Sequence, residues 1–287
     1  MRSALGTAVM SLALAGLWGC VATSPPPGSH PSSEIAGPQG KLIIDDGGRG
    51  GIPVLLVHGN GANHSQWAAQ LAYLRHSRRA VAFDLRGMGE SARPADGDYS
   101  VEGFADDVAA VADALGLRRF VLVGHSYGGA VICAYAGKHP DRLVGVVFAD
   151  SAGDLSRTEP ERIEQLSRGL APGTYVQFTD EWFESILKGS KPATHDAVMR
   201  SLHATPRKVF SATTLGLYGF PFNESLARFR GPKLSIASLL YDSPFAVHRL
   251  NRQVPVRRIE GASHWLMMDQ PEEFNRMLDD FVGSLDR

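Results

Sequence analysis

The sequence has little cysteine and no excess of either charge. Two cysteines, Cys20 and Cys133, occur among its 287 residues, which excludes a framework of several disulfides. Lysine and arginine number 29 against 30 aspartates and glutamates, so the charge indicates no nucleic acid or other polyanion as a partner. Histidines at H-x-x-x-H or H-E-x-x-H spacing are missing, as are paired cysteine ligands. We therefore expect no metal and no other cofactor.

Residues 1–20 contain no acidic side chain and few polar ones. Arg2 gives a positive start, and residues 4–18 form an apolar stretch that is shorter than the roughly 20 residues a membrane-spanning helix needs. This pattern is typical of a signal peptide. It ends at Leu17-Trp18-Gly19-Cys20, which resembles the lipobox of bacterial lipoproteins, with Trp18 in place of the usual small residue. The resemblance implies that Cys20 is lipidated and anchors the protein to a membrane.

The same resemblance implies export from a bacterial cytoplasm. Val21, rather than aspartate, follows Cys20, which favours the outer membrane over the inner one. Secretion into the periplasm or medium after cleavage nearby, and an uncleaved anchor, remain alternatives. Residues 21–40 are rich in proline, serine and glycine and poor in apolar side chains, so we expect a disordered tether. Residues 41–287 are the expected folded domain.

Strand and helix signals alternate along the folded domain. Apolar runs predict strands at residues 41–45, 53–57, 79–84, 120–123, 143–149, 233–239 and 254–259. Helical periodicity is found between them and at residues 271–285. This alternation predicts the α/β class, with a mainly parallel sheet flanked by helices. The rhythm breaks at about 153–228, where charged helical segments mix with aromatic side chains. We expect a helical cap insertion, whose aromatics either face a pocket or form a small core.

The hexapeptide Gly124-His125-Ser126-Tyr127-Gly128-Gly129 joins a predicted strand to a predicted helix. A G-x-S-x-G sequence in this setting is the signature of a nucleophile elbow, in which the serine occupies a strained, exposed corner. Its flanking glycines permit the close approach of strand and helix. The amino terminus of the helix favours negative charge developing beside the serine. We therefore predict that Ser126 is a nucleophile.

A serine hydroxyl needs a base at neutral pH, and His264 is the expected one. It lies between the last predicted strand and the last predicted helix, in a loop that can reach Ser126. Two aspartates compete as the acid that orients His264. Asp242 follows strand 233–239, the commoner location, whereas Asp150 ends strand 143–149. Both lie between Ser126 and His264 in the chain, so chain order does not choose between them.

The oxyanion that forms during acyl transfer needs at least two hydrogen-bond donors. The backbone N–H of Tyr127, at the start of the elbow helix, is the first candidate. The loop His58-Gly59-Asn60-Gly61 follows a predicted strand, and we expect the Asn60 N–H to be the second. A phosphate-binding loop is the rival interpretation of these glycines. No lysine follows at the Walker spacing, which argues against it.

Several segments together resemble the α/β-hydrolase family of esterase-like enzymes. They are His58-Gly59, residues 83–91, the elbow, Gly261-Ala262-Ser263-His264 and residues 271–274, in the order of that family. The resemblance covers residues 42–285 apart from the insertion. Members with dehalogenase or epoxide hydrolase activity carry aspartate as nucleophile, and Ser126 therefore argues against those activities.

These observations lead us to expect a serine hydrolase that cleaves a carboxylic ester or related acyl bond through an acyl-enzyme. The aromatic insertion suggests a small hydrophobic acyl or ester substrate. A carbon–carbon bond hydrolase, an acyltransferase or a cofactor-free perhydrolase would use the same triad. From a different class, a non-catalytic binding protein anchored in the envelope is a further alternative.

Overall fold

One mainly parallel sheet organises the part of the chain that the computed structural model describes, residues 32–240 and 243–286. Its strand order is β1-β2-β4-β3-β5-β6-β7-β8. The strands are β1 (Ser33–Gly37), β2 (Gly40–Gly47), β3 (Val54–Val57), β4 (Ala80–Phe83), β5 (Phe120–His125), β6 (Leu143–Ala149), β7 (Lys233–Ser238) and β8 (Val256–Ile259). Strand β2 pairs antiparallel with β1 and β4, and the other pairs are parallel. Parallel strands end at one edge, where the loops that follow them meet.

Helices cover both faces of this sheet. They are α1 (Ala68–Leu74), α2 (Val101–Ala114), α3 (Gly128–Lys138), α4 (Pro160–Gly169), α5 (Tyr175–Ile186), α6 (Pro192–Ala204), α7 (Arg207–Gly216), α8 (Phe222–Arg228), α9 (Val247–Leu250), α10 (Leu266–Asp269) and α11 (Pro271–Leu285). Helices α4 to α8 lie between β6 and β7 and form the helical insertion, which we call the cap.

Burial on both faces explains why the central strands are continuously apolar. All four residues of β3 and all six of β5 are buried. Alternate side chains of each strand enter one of two apolar clusters. Leu55 and Leu122 belong to the cluster that contains Phe104, whereas Leu56 belongs to the one that contains Trp67. The predicted α/β class, with its mainly parallel sheet, flanking helices and helical insertion, is confirmed.

The predicted tether ends earlier than residue 40. Residues 33–37 form β1, which pairs with β2 at the edge of the sheet. Apolar patterning did not reveal this strand, because an exposed edge strand needs few apolar side chains. Residues 1–31, with the expected signal peptide and Cys20, lie outside the described residues. Within the described part, no helix is both long and apolar enough to cross a membrane.

Candidate active site

Ser126 occupies the sharp turn between β5 and α3. Its φ is 52°, a left-handed conformation that non-glycine residues rarely adopt. The Ser126 N–H donates to the carbonyl of Ala149 at 3.0 Å, which fixes the turn to the neighbouring strand. A Cβ on Gly128 would lie 2.6 Å from the carbonyl oxygen of Val57, so only glycine fits there. The turn directs Ser126 towards a cavity that it helps to line.

His264 and Asp150 meet at the same edge of the sheet. The His264 Nδ1 lies 2.8 Å from the Asp150 Oδ2, and both side chains are buried. Burial lowers the pKa of His264 to about 3, so the ring is neutral at neutral pH. Its Nδ1 proton then points to the carboxylate of Asp150, which leaves Nε2 as a proton acceptor. Ser126, Asp150 and His264 all line one cavity.

Asp150 is held in place by its backbone and by β7. Its φ of 44° is again left-handed. The Asp150 N–H donates to the carbonyl of Ile236 at 2.8 Å, and its Oδ1 accepts from the Ser238 N–H at 3.1 Å. These bonds orient the carboxylate towards His264. The competing candidate, Asp242, lies outside the described residues.

The backbone of His264 is bound on both sides. Its N–H donates to the carbonyl of Ile186 at the end of cap helix α5, at 3.1 Å. Its carbonyl lies 2.9 Å from the Nε2 of His125. Burial lowers the pKa of His125 well below its ordinary value, so a neutral ring donates this bond through Nε2–H. No local sequence pattern pointed to a role for His125, because the residue it contacts is 139 positions away in the chain.

Asp269 connects the His264 loop to a second part of the cap. It is fully buried, and its Oδ2 accepts from the Ser263 N–H at 2.9 Å and the Ser263 hydroxyl at 2.6 Å. Its Oδ1 accepts from the backbone N–H of Lys191, just before α6, at 2.9 Å. Three donors therefore satisfy this carboxylate. No local sequence pattern pointed to Asp269 either.

The loop after β3 reaches the other side of Ser126. His58 receives the Leu85 N–H at its Nε2, at 3.0 Å, so its Nδ1 proton donates to the carbonyl of Gly59, at 2.7 Å. A Cβ on Gly59 would lie 3.2 Å from the Cβ of Ser126, which shows how closely this loop approaches the serine. Asn60 and Tyr127, the predicted oxyanion donors, both line the cavity.

The Asn60 side chain also ties this loop to the cap. Its Nδ2 donates to the carbonyl of Phe210 at 3.0 Å and to the hydroxyl of Thr214 at 2.8 Å, both on α7. The cap is therefore hydrogen-bonded to the loops that carry Asn60 and His264. A shift of the cap would therefore also shift the two loops beside Ser126.

The cavity has a volume of about 600 Å³ and is mostly apolar. Cap aromatics contribute much of its wall: Phe178, Trp182, Phe183, Phe210 and Tyr218. Three of them also pack on one another, with ring centroids 5.7 Å apart for Phe183 and Phe210 and 6.1 Å apart for Trp182 and Phe210. These side chains thus belong both to the pocket wall and to the core of the cap. Phe220 and Phe222 are instead buried in the apolar cluster of the sheet that contains Phe104.

No group of three or more histidine, cysteine, aspartate or glutamate side chains in residues 32–240 and 243–286 is arranged to hold a metal ion. Cys133 is buried, and its thiol donates to the carbonyl of Phe222. Burial raises its pKa well above the ordinary value, which opposes formation of a thiolate. This cysteine is a packing residue.

Comparison with known proteins identifies the family to which this chain belongs. Residues 52–209 match the family described as alpha/beta hydrolase fold. The chain therefore belongs to the α/β hydrolase fold family. A thermophilic esterase from Thermogutta terrifontis superposes with a TM-score of 0.77 at 26% identity, covering 89% of this chain and 99% of the esterase.

Sequence relatives include hydrolases of different bonds. A 2-hydroxymuconate semialdehyde hydrolase from Pseudomonas sp. (strain CF600) is 39% identical over 106 residues, which are 36% of this chain and 38% of that hydrolase. The matched segment thus spans well under half of that relative. The (lyso)-N-acylphosphatidylethanolamine lipase of Mus musculus is 26% identical over 279 residues, covering 82% of this chain and 80% of the lipase. These similarities support hydrolase chemistry.

Proposed function

We propose that this chain is a serine hydrolase that cleaves a carboxylic ester or a related acyl bond, with Ser126, His264 and Asp150 as its triad. The observation that carries the proposal is the 2.8 Å contact between His264 Nδ1 and Asp150 Oδ2, in the cavity into which the strained Ser126 projects. A neutral histidine oriented by a buried carboxylate is the arrangement that activates a serine hydroxyl.

In this mechanism Ser126 attacks the substrate carbonyl while His264 Nε2 takes its proton. The negative charge of Asp150 stabilises the imidazolium that forms. His264 then protonates the leaving group, and an acyl-enzyme remains on Ser126. In the second half, His264 takes a proton from water, which attacks the acyl-enzyme and releases the acid. The proton returns to Ser126 and completes the cycle.

The backbone N–H groups of Asn60 and Tyr127 are the proposed oxyanion donors. Tyr127 stands at the first turn of α3, where backbone N–H groups have no acceptor within the helix. Asn60 is held by α7 through its side chain, which leaves its backbone fixed beside Ser126. Each donor contributes about 2.7–4 kcal/mol to lowering the barrier in comparable sites.

A carbon–carbon bond hydrolase is the second candidate. It is favoured by the 39% identity to a 2-hydroxymuconate semialdehyde hydrolase over 106 residues. Ester hydrolysis is our main proposal, because a triad in a mostly apolar cavity requires only that the substrate contain an acyl carbonyl. A carbon–carbon hydrolase would release a leaving group protonated at carbon rather than an alcohol, so product analysis distinguishes the two reactions.

The proposal is tested by fluorophosphonate labelling and 4-nitrophenyl ester turnover with the full-length chain. Ser126→Ala and His264→Ala should abolish turnover, and Ser126→Ala should also abolish labelling at residue 126, as located by mass spectrometry. Added alcohols report acyl transfer, and added peroxide reports perhydrolysis. A wild-type protein that neither labels nor turns over any chain length would contradict the proposal and favour a binding protein.

We also propose that Cys20 is lipidated and anchors the protein to a membrane of the bacterial envelope, preferably the outer one. The proposal rests on the sequence Leu17-Trp18-Gly19-Cys20 alone. It is tested by separating inner and outer membranes and by the mass of the mature protein. Cys20→Ser should release the protein from membranes. An unchanged mass and membrane fraction in this variant would refute lipidation.

A further inference from the structure

The cavity wall contributed by the cap contains one arginine, Arg162 on α4. The cavity-lining residues of this helix are Arg162, Gln165 and Leu166, at the i, i+3 and i+4 spacing of a single helix face. Arg162 is therefore on the side of α4 that faces the cavity, at the rim, where its side chain is also exposed to solvent. Arg168 on the same helix is ion-paired with Glu164 at 2.7 Å and does not line the cavity.

The guanidinium group of Arg162 has an aromatic neighbour. Its Cζ lies 4.9 Å from the centroid of the Phe245 ring, which also lines the cavity. Among the described residues, no carboxylate forms an ion pair with Arg162. A cation–π contact needs no N–H donor, so the N–H groups of the guanidinium stay available to an acceptor.

Glu181 on α5 is the other charged side chain of the cap that lines the cavity. Its Oε1 accepts from the Nε2 of Gln177 at 2.8 Å, one turn earlier on the same helix. Glu181 keeps its negative charge in this bond, and it forms no ion pair with Arg162. An anionic group that enters the cavity is attracted to α4 and repelled from the Glu181 side.

We propose that Arg162 binds a carboxylate at the end of the substrate remote from the scissile bond. The substrate class is then an ester or related acyl compound that bears a free carboxylate. One planar guanidinium matches one singly charged carboxylate through two parallel hydrogen bonds, whereas a phosphate dianion calls for more positive charge than this wall provides. The inference rests on the proposed function, because it assigns the far end of the substrate that Ser126 attacks.

The test compares two series of 4-nitrophenyl esters on the full-length chain. One series carries acyl groups from succinic, glutaric, adipic and suberic acid with the second carboxylate free. The other carries neutral acyl groups of the same chain lengths. We expect wild type to favour an anionic ester at the chain length that spans the cavity. Because the guanidinium is exposed and partly screened by water, Arg162→Ala should lower kcat/KM for that ester about three- to tenfold, mainly through KM, and change that of its neutral partner by less than about twofold.

Two control variants define the interpretation. Arg162→Lys keeps the positive charge but not the two parallel N–H donors of the guanidinium, and it should retain part of the preference for the anionic ester. Arg168→Ala removes a cation from the same helix outside the cavity, and it should behave as wild type. If Arg162→Ala changes the anionic and neutral series equally, or neither by more than about twofold, the carboxylate subsite is refuted.

A binding measurement separates this inference from the proposed function. Ser126→Ala is titrated calorimetrically with ethyl hydrogen esters of the same diacids and with the diethyl esters. If wild type hydrolyses nothing, but Ser126→Ala binds a half-ester and the added Arg162→Ala change abolishes that binding, the subsite stands and the hydrolase proposal fails. If the half-esters bind no better than the diethyl esters, the subsite is refuted whatever the hydrolysis results.

Discussion

Replacing Asp269 by asparagine should loosen the attachment of the His264 loop to the cap. The fully buried carboxylate accepts two bonds from Ser263 at one oxygen and one bond from the Lys191 N–H at the other. Asparagine has nearly the same size but offers one oxygen and one NH₂ group. At least one of the three donors then faces another donor.

The less costly orientation keeps the two Ser263 bonds and loses the one from Lys191. A hydrogen bond to a charged group contributes about 1.5–3 kcal/mol, and a buried donor left unpaired adds to the loss. We therefore expect the free energy of unfolding to fall by about 2–4 kcal/mol. In a domain of this size each kcal/mol corresponds to about 2–4 °C, so Tm should fall by roughly 5–15 °C.

The assay combines thermal unfolding with ester turnover at a temperature where the variant is folded. Because Ser263 precedes His264, kcat should fall more than KM rises. Asp280→Asn, which removes an exposed carboxylate paired with Arg257, is the matched control and should shift Tm by less than about 2 °C. A Tm for Asp269→Asn within that margin, with unchanged kcat, would refute this account of the loop.

Three further outcomes follow from the site. Asp150→Asn should lower kcat about 10⁴-fold while the protein stays folded, because the amide favours the wrong tautomer of His264. Asp242→Asn should retain most activity. The reverse result would identify Asp242 as the acid. Burial lowers the pKa of His264 to about 3, while the charge of Asp150 opposes the shift. Because His264 must be neutral to act as a base, kcat/KM should stay high as the pH falls through 6.5 and should be lost between about pH 6.5 and 3. A loss of kcat/KM centred above pH 6.5 would contradict this prediction. Gly128→Ala places a Cβ 2.6 Å from a backbone oxygen and should lower the free energy of unfolding, measured by heat or urea, by about 3 kcal/mol or more. Gly283→Ala, at a position with open space around it, should leave the stability unchanged or raise it. Equal stability of the two variants would count against the close packing of the turn at Ser126.

Elements with strong apolar periodicity were predictable from the sequence. Residues 143–149 form β6 and residues 271–285 form α11 with the predicted bounds, because one is continuously apolar and the other has a clear apolar face. Helix α5 (Tyr175–Ile186) was not assigned. Its buried side chains Thr179, Phe183 and Ile186 nevertheless recur at the i, i+4 and i+7 spacing of a helix with one buried face, so the sequence carried a signal for this helix that we did not use.

Within the candidate site, local motifs identified Ser126 and His264 as candidates, but long-range contacts lay beyond the sequence. Both aspartates follow strands that end at the same edge of the sheet, so spacing along the chain did not separate them. The contact between Asp150 and His264 joins residues 114 positions apart. The bonds made by His125 and Asp269 likewise depend on how loops meet in space, and no local pattern reports them.

The hydrogen bonds from Asn60 to α7 and from His264 to α5 bear on protein engineering. Exchanging the cap for that of a relative is an attractive way to change the substrate range of such a hydrolase, because the cap supplies much of the cavity wall. Here the exchange would also replace the residues that form hydrogen bonds to Asn60 and His264, which lie on the two loops beside Ser126. A backbone carbonyl at position 186 can be supplied by any residue, but the Thr214 hydroxyl cannot. A chimera should therefore keep Thr214, or recover its contact by selection, before its substrate range is judged.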